Sequence, residues 1–118
     1  MKNTLACGTI ALLVLALTID RSFAQTAEEL YQKGIQLEEV KGELEKAIEM
    51  YNDVVKQSST NKPLAAKALL HLGRCYEKLG KKEATKAYER IIKEFADQQD
   101  VVKEARARLA ALAAPSPT

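Results

Sequence analysis

Two side chains invite a chemical reading first. His71 and Cys75 stand four residues apart, so on a helix they share a face and could give two ligands to a metal ion. The chain has no second Cys/His pair, so carboxylates would have to complete such a site. A thiol nucleophile needs a base within hydrogen-bond reach, and that base usually needs an orienting group. Helices packed on flat faces offer an acyl substrate no obvious cleft, and no glycine-rich phosphate loop is present. The plainer reading makes Cys75 a small residue near a helix-packing seam and His71 partly exposed. No catalytic residue, metal or cofactor is expected, and an enzyme or metal site built on this pair is the least favoured reading.

Composition narrows the field further. The 118 residues are 47% hydrophobic and 29% charged, with five glycines, three prolines and no tryptophan. That argues against a sandwich, a barrel or a disordered chain. A formal net charge of +2 demands neither nucleic acid nor an anionic membrane surface as partner.

The first 24 residues read as an export signal. Met1-Lys2-Asn3 is a short positive start, Leu5 to Ile19 runs without charge, and Ser22-Phe23-Ala24-Gln25 places small side chains where a signal peptidase inspects the chain. Cleavage after Ala24 follows. The apolar run is shorter than the ~20 residues a membrane span needs, so an uncleaved anchor is the alternative and no span is expected in the mature chain. Cys7 precedes the apolar run instead of following it, which makes it a poor lipidation site. Without Cys7 the mature chain keeps one thiol, Cys75, and can form no internal disulfide. Export without a disulfide suits a bacterial periplasm or cell envelope.

The elements that must position any site are helical from Ala27 onward. Apolar residues recur with the helical period in five stripes: Ala27 to Leu37, Leu44 to Val55, Ala65 to Leu79, Ala84 to Phe95, and a weaker one from Val102 to Leu112. Gly42 and Gly80 sit where two stripes end, which suits a left-handed residue just past a helix. Pro63, after a polar loop, can open the third helix. Short joins between helices one and two, and three and four, make each pair an antiparallel hairpin.

The two hairpins are copies. Gly34 corresponds to Gly73 at a shift of 39, whereas Ala47, Tyr51 and Val54 correspond to Ala84, Tyr88 and Ile91 at 37. The fifth stripe continues at 37, with Leu64, Ala65, Ala68 and Leu72 meeting Val101, Val102, Ala105 and Leu109. A period near forty with two helices per unit is the signature of an α-solenoid. The last helix is then half of a third unit and covers the end of the core. The expected architecture is all-α: a first repeat over about 27–57, a second over about 64–96, a capping helix over about 100–112, together a domain over 25–112, and a flexible tail at 113–118.

Leu72-Gly73, Tyr76, Gly80, Ala84 and Tyr88 resemble the tetratricopeptide-repeat pattern. The first repeat keeps Gly34, Gly42, Ala47 and Tyr51 but has Leu37 where an aromatic is usual, and it carries one extra residue in its first helix. The family's proline near the end of the second helix is replaced by Ala96. The resemblance covers about Ala27 to Leu112 and implies a short right-handed solenoid. Glu77 to Gly80 and Tyr88 to Phe95 look most like the longer repeats of exported bacterial proteins, such as the periplasmic coordinator of the Tol–Pal system and the outer-membrane assembly lipoproteins. Such proteins are typically scaffolds, and similar segments also occur as N-terminal modules of larger envelope proteins.

The resemblance also assigns a concave groove. On the second repeat it would present Lys67, Leu70, Arg74, Glu77 and Lys78, and on the first Glu28, Tyr31, Ile35, Glu38 and Glu39. A basic stripe would lie beside an acidic one, with Tyr31, Ile35 and Leu70 as apolar contacts. Basic side chains can hold a peptide's carboxylates; the plainer reading is a solvated face stabilised by its own Glu–Lys pairs. Tyr51, Tyr76 and Tyr88 read as packing residues whose hydroxyls reach the surface. The expected function is a non-catalytic, exported module binding a protein or extended peptide. The rival is a self-associating structural unit, a homodimer through the capping helix.

Overall fold

The structure, a computed structural model, describes residues 25–115. The expected export signal at 1–24 and the last three residues of the expected tail lie outside that range. Five α-helices follow one another: α1 (Ala27–Ile35), α2 (Leu44–Gln57), α3 (Lys62–Lys78), α4 (Glu83–Glu94) and α5 (Gln99–Ala113). A π-helical turn, Gln36–Lys41, continues α1. Each helix packs on the next in sequence, and α3 also touches α5. No strand occurs among the described residues. This is the layout of a helical solenoid, two hairpins and a closing helix. Among the described residues no helix is long and apolar enough to cross a membrane.

Local chemistry sets the helix ends. Thr26 opens α1 with a capping box: its hydroxyl accepts the Glu29 N–H at 3.2 Å, and its own N–H donates to the Glu29 carboxylate at 3.3 Å. The Asn61 side chain accepts the Leu64 N–H at 3.3 Å, with Pro63 in the first turn of α3. Gly80 closes α3 at φ +66°. There the Gly80 N–H donates to the Glu77 carbonyl at 3.0 Å and the Lys81 N–H to the Tyr76 carbonyl at 2.9 Å, the paired bonds of a Schellman turn.

The extra residue of the first repeat reappears as the π-turn. Gly42 also lies left-handed, at φ +67°. Its N–H donates to the Leu37 carbonyl, and so does the Glu43 N–H at 2.8 Å. The bond from Glu43 closes a ring one residue larger than the bond from Lys81, so the insertion is absorbed where the helix widens.

Within each hairpin a glycine lets a tyrosine ring lie directly on the helix backbone. A Cβ on Gly34 would come within 2.6 Å of Tyr51 Cε1, and one on Gly73 closer still to Tyr88 Cε1. Both rings are completely buried. Leu69, Val54, Ile91 and Ala105 complete a continuous core from α2 to α5.

Candidate functional site

Packing brings the π-turn, the last turns of α3 and one face of α5 around one concavity. It holds about 480 Å³ and is lined by Glu38, Glu39, Arg74, Glu77, Lys78 and Arg108. Every lining side chain is ionisable, so the site is electrostatic in character.

Glu38 is its structural centre. The π-turn carries its side chain inward until only 3% remains exposed. Its Oε2 accepts the Tyr51 hydroxyl at 2.7 Å and lies 2.8 Å from His71 Nδ1, while Oε1 lies 3.3 Å from Lys78 Nζ. Burial alone would raise this carboxyl. The hydrogen bonds from His71 and Tyr51, with the charge of Lys78, outweigh it and hold Glu38 at about 2. An ionised carboxylate only accepts, so Nδ1 of His71 carries the proton it shares. The imidazole stacks on Tyr51 with centroids 5.2 Å apart and meets Tyr31 edge-on at 5.7 Å. Burial and the Glu38 charge together push the Tyr51 hydroxyl above its usual range.

The second repeat reproduces the motif in a wetter setting. Tyr88 donates its hydroxyl to Glu77 at 2.7 Å, and the other oxygen of Glu77 lies 3.6 Å from Arg108 of α5. Arg74 pairs with Glu104, whose Oε1 is also 3.9 Å from Arg108 Nε. Burial would lower the Arg74 pKa, but the bond to Glu104 raises it overall. Each cation of the concavity faces a carboxylate of the protein: Arg74 faces Glu104, Lys78 faces Glu38, and Arg108 faces Glu77 and Glu104, while the Arg74 Nε is buried without a partner.

Several expected site residues lie elsewhere. Tyr31 and Leu70 are buried, 9% and 7% exposed, and serve the core instead of a ligand. Ile35 is half-buried against that core. Lys67 is exposed but borders a different depression, with Asp97, Asp100 and Val101. Only Arg74, Glu77 and Lys78 come together as expected. The hydroxyls of Tyr51 and Tyr88 do not reach the surface; they end on Glu38 and Glu77. Glu104 and Arg108 were not expected at all. The signal for Glu104 was present, since the 37-residue register carries Lys67 of the groove onto it.

Burial and hydrogen bonding take up the pair that first invited a chemical reading. Cys75 is fully buried. Burial, then the Glu38 charge, pushes its thiol up to about 12, which suppresses the nucleophilic thiolate. His71 spends Nδ1 on Glu38. Among the described residues no three His, Cys, Asp or Glu side chains converge as metal ligands.

No curated protein and no solved structure matches the chain. Residues 67–97, most of α3 and all of α4, match the family model described as Tetratricopeptide repeat. The match falls on the hairpin where Gly73 receives the Tyr88 ring, and over these residues the chain is similar to a tetratricopeptide repeat.

Proposed function

We propose that the protein is a non-catalytic interaction module, exported to the periplasm or cell envelope, whose concave groove holds a protein or an extended peptide. The observation that carries the reading is the groove itself. Six ionisable side chains line one concavity of about 480 Å³, and hydrogen bonds and ion pairs between helices fix most of them in place. A surface ordered before binding loses little freedom when a partner arrives. The buried, weakly acidic thiol supports a non-catalytic role. Export rests on the first 24 residues, and the envelope setting also on the likeness of the second hairpin to repeats of exported bacterial proteins.

Photo-crosslinking in living cells tests the groove. A photoreactive side chain placed at Glu39 or Arg108 is expected to trap a discrete partner, identified by mass spectrometry. The same side chain at exposed Lys93 of α4, outside the groove, is expected to trap none. Equal trapping from both places sinks the groove reading. Export is tested on the same cells: the protein should appear in the envelope fraction with Gln25 as its first residue.

A further inference from the structure

We propose that the groove continues past Glu77 into a second, basic depression between the α3–α4 turn and the end of α5, and that this depression receives an acidic segment of a partner protein. Carboxylates of the segment meet Lys81 and Lys82, and an apolar side chain of it rests on Leu112. The inference rests on the groove reading and fixes the polarity of its ligand.

The second depression holds about 270 Å³ and is lined by Glu77, Gly80, Lys81, Lys82, Thr85 and Leu112. Glu77 also lines the first concavity, so the two adjoin. The left-handed turn at Gly80 carries the chain out of α3 and sets Lys81 and Lys82, both exposed, at the start of α4. Among the described residues neither lysine takes part in an ion pair. Glu77, the one carboxylate lining this depression, already accepts the Tyr88 hydroxyl and faces Arg108. Glu83, the acidic residue in the first turn of α4, lines a different depression with Lys86 and Arg90. The positive end of α4 therefore adds to two lysines that no carboxylate offsets. Leu112 is 42% exposed and is the large apolar side chain of the depression.

An acidic ligand displaces nothing on arrival, even where it reaches back into the first concavity. Lys78 Nζ lies 3.3 Å from Glu38, one contact for a group with three N–H donors. Arg108 faces Glu77 at 3.6 Å and Glu104 at 3.9 Å, both beyond hydrogen-bond length, so its N–H donors remain open to a ligand. A ligand cation in the second depression would instead meet two lysines with only an engaged Glu77 to offset them, and like charges repel. Each exposed ion pair is weak by itself, so the apolar contact at Leu112 has to act with the lysines. That contact also favours a polypeptide: a phosphate chain gains nothing from a leucine.

Amide chemical shifts of the isotope-labelled protein provide the test. Three probes are titrated: a capped nonapeptide alternating glutamate with leucine, the same peptide with lysine at each glutamate, and inorganic tripolyphosphate. The glutamate peptide is expected to shift the amides of Lys81, Lys82, Thr85 and Leu112 more than either other probe does, and added salt should weaken its binding. Lys81→Glu with Lys82→Glu, at exposed positions where α4 begins, should keep the wild-type melting curve, weaken the glutamate peptide by roughly tenfold or more, and bind the lysine peptide better than wild type does. Leu112→Ser should weaken the glutamate peptide without changing its salt dependence. A lysine peptide bound as tightly as the glutamate peptide, or a double variant that binds the glutamate peptide like wild type, overturns the inference and leaves the groove reading standing. Tripolyphosphate that shifts these amides as strongly as the glutamate peptide overturns it too, since the patch would then be a general anion site. If no probe shifts amides of either depression, the inference falls and the groove reading rests on the photo-crosslinking alone.

Discussion

The Tyr51 hydroxyl donates to Glu38 at 2.7 Å across 13 residues of chain, and the Tyr88 hydroxyl donates to Glu77 at the same distance across 11. One of the two additional residues lies in the π-turn between Glu38 and Gly42, the other between Gly42 and Ala47. The bond survives both insertions, so it is a fixed point around which each hairpin is built. The environments differ, however. Glu38 is 3% exposed at the side chain and Glu77 is 24% exposed.

That difference predicts unequal costs for one substitution. Tyr51→Phe leaves a buried carboxylate short of a donor, a loss of about 1–3 kcal/mol. Tyr88→Phe leaves Glu77 able to recruit water, and its loss should be about 1 kcal/mol or less. Urea unfolding of the two variants checks this. Equal midpoint shifts would mean that Glu38 is hydrated after all.

Acid should act through Glu38 first. Its folded pKa is about 2, below the usual 4.5. A lowered carboxylate pKa gives stability that is complete above the unfolded value and is lost as pH falls through the folded one. The Glu38 contribution, about 3 kcal/mol at most from this shift, should therefore drain away between pH 4.5 and pH 2. Unfolding free energies of wild type and Glu38→Gln, taken at several pH values, isolate it. The gap between them should be widest at neutral pH and close in acid; a gap independent of pH contradicts the assignment.

The thiol offers a test of packing. With Cys75 fully buried and its pKa pushed up to about 12, iodoacetamide at neutral pH should label the protein only as fast as it unfolds. Labelling should accelerate in urea in step with the loss of helix. Rapid labelling of the native protein would restore the nucleophile that the structure takes away.

Helices, hairpins and the closing helix were legible because apolar residues at the helical period and a glycine past the first helix of each hairpin are local signals. Gly42 and Gly80 show it: both fall at the left-handed position their spacing implied. The insertion in the first repeat was legible as a count, but not its accommodation, because a residue number does not say whether a helix loops out or widens. Glu38 was the least legible. A glutamate on a helix ordinarily reads as solvated, and its burial depends on donors 13, 33 and 40 residues away. Tyr31 and Leu70 were misplaced for the converse reason. Their shared register was right, but the helices pack over it closely enough to bury both.

The closing helix carries its own instruction to stop. Arg106 of α5 occupies the register position of Leu69 on α3, and Ala110 that of Gly73. Leu69 is almost fully buried in the second hairpin, and Gly73 is the bare backbone on which the Tyr88 ring rests. A further helix laid on α5 in the same way would bury a guanidinium and press a ring onto a methyl group. Both are unfavourable, the first because an unpaired buried charge is costly, the second because overpacking typically costs about 1–3 kcal/mol. The chain should therefore remain monomeric in light scattering as its concentration is raised. Arg106→Leu with Ala110→Gly should remove both obstacles and produce a concentration-dependent dimer, since it exposes an apolar face suited to another copy. A wild-type dimer dispersed by Arg106→Glu would reverse the argument and make α5 the interface instead of the end of the array.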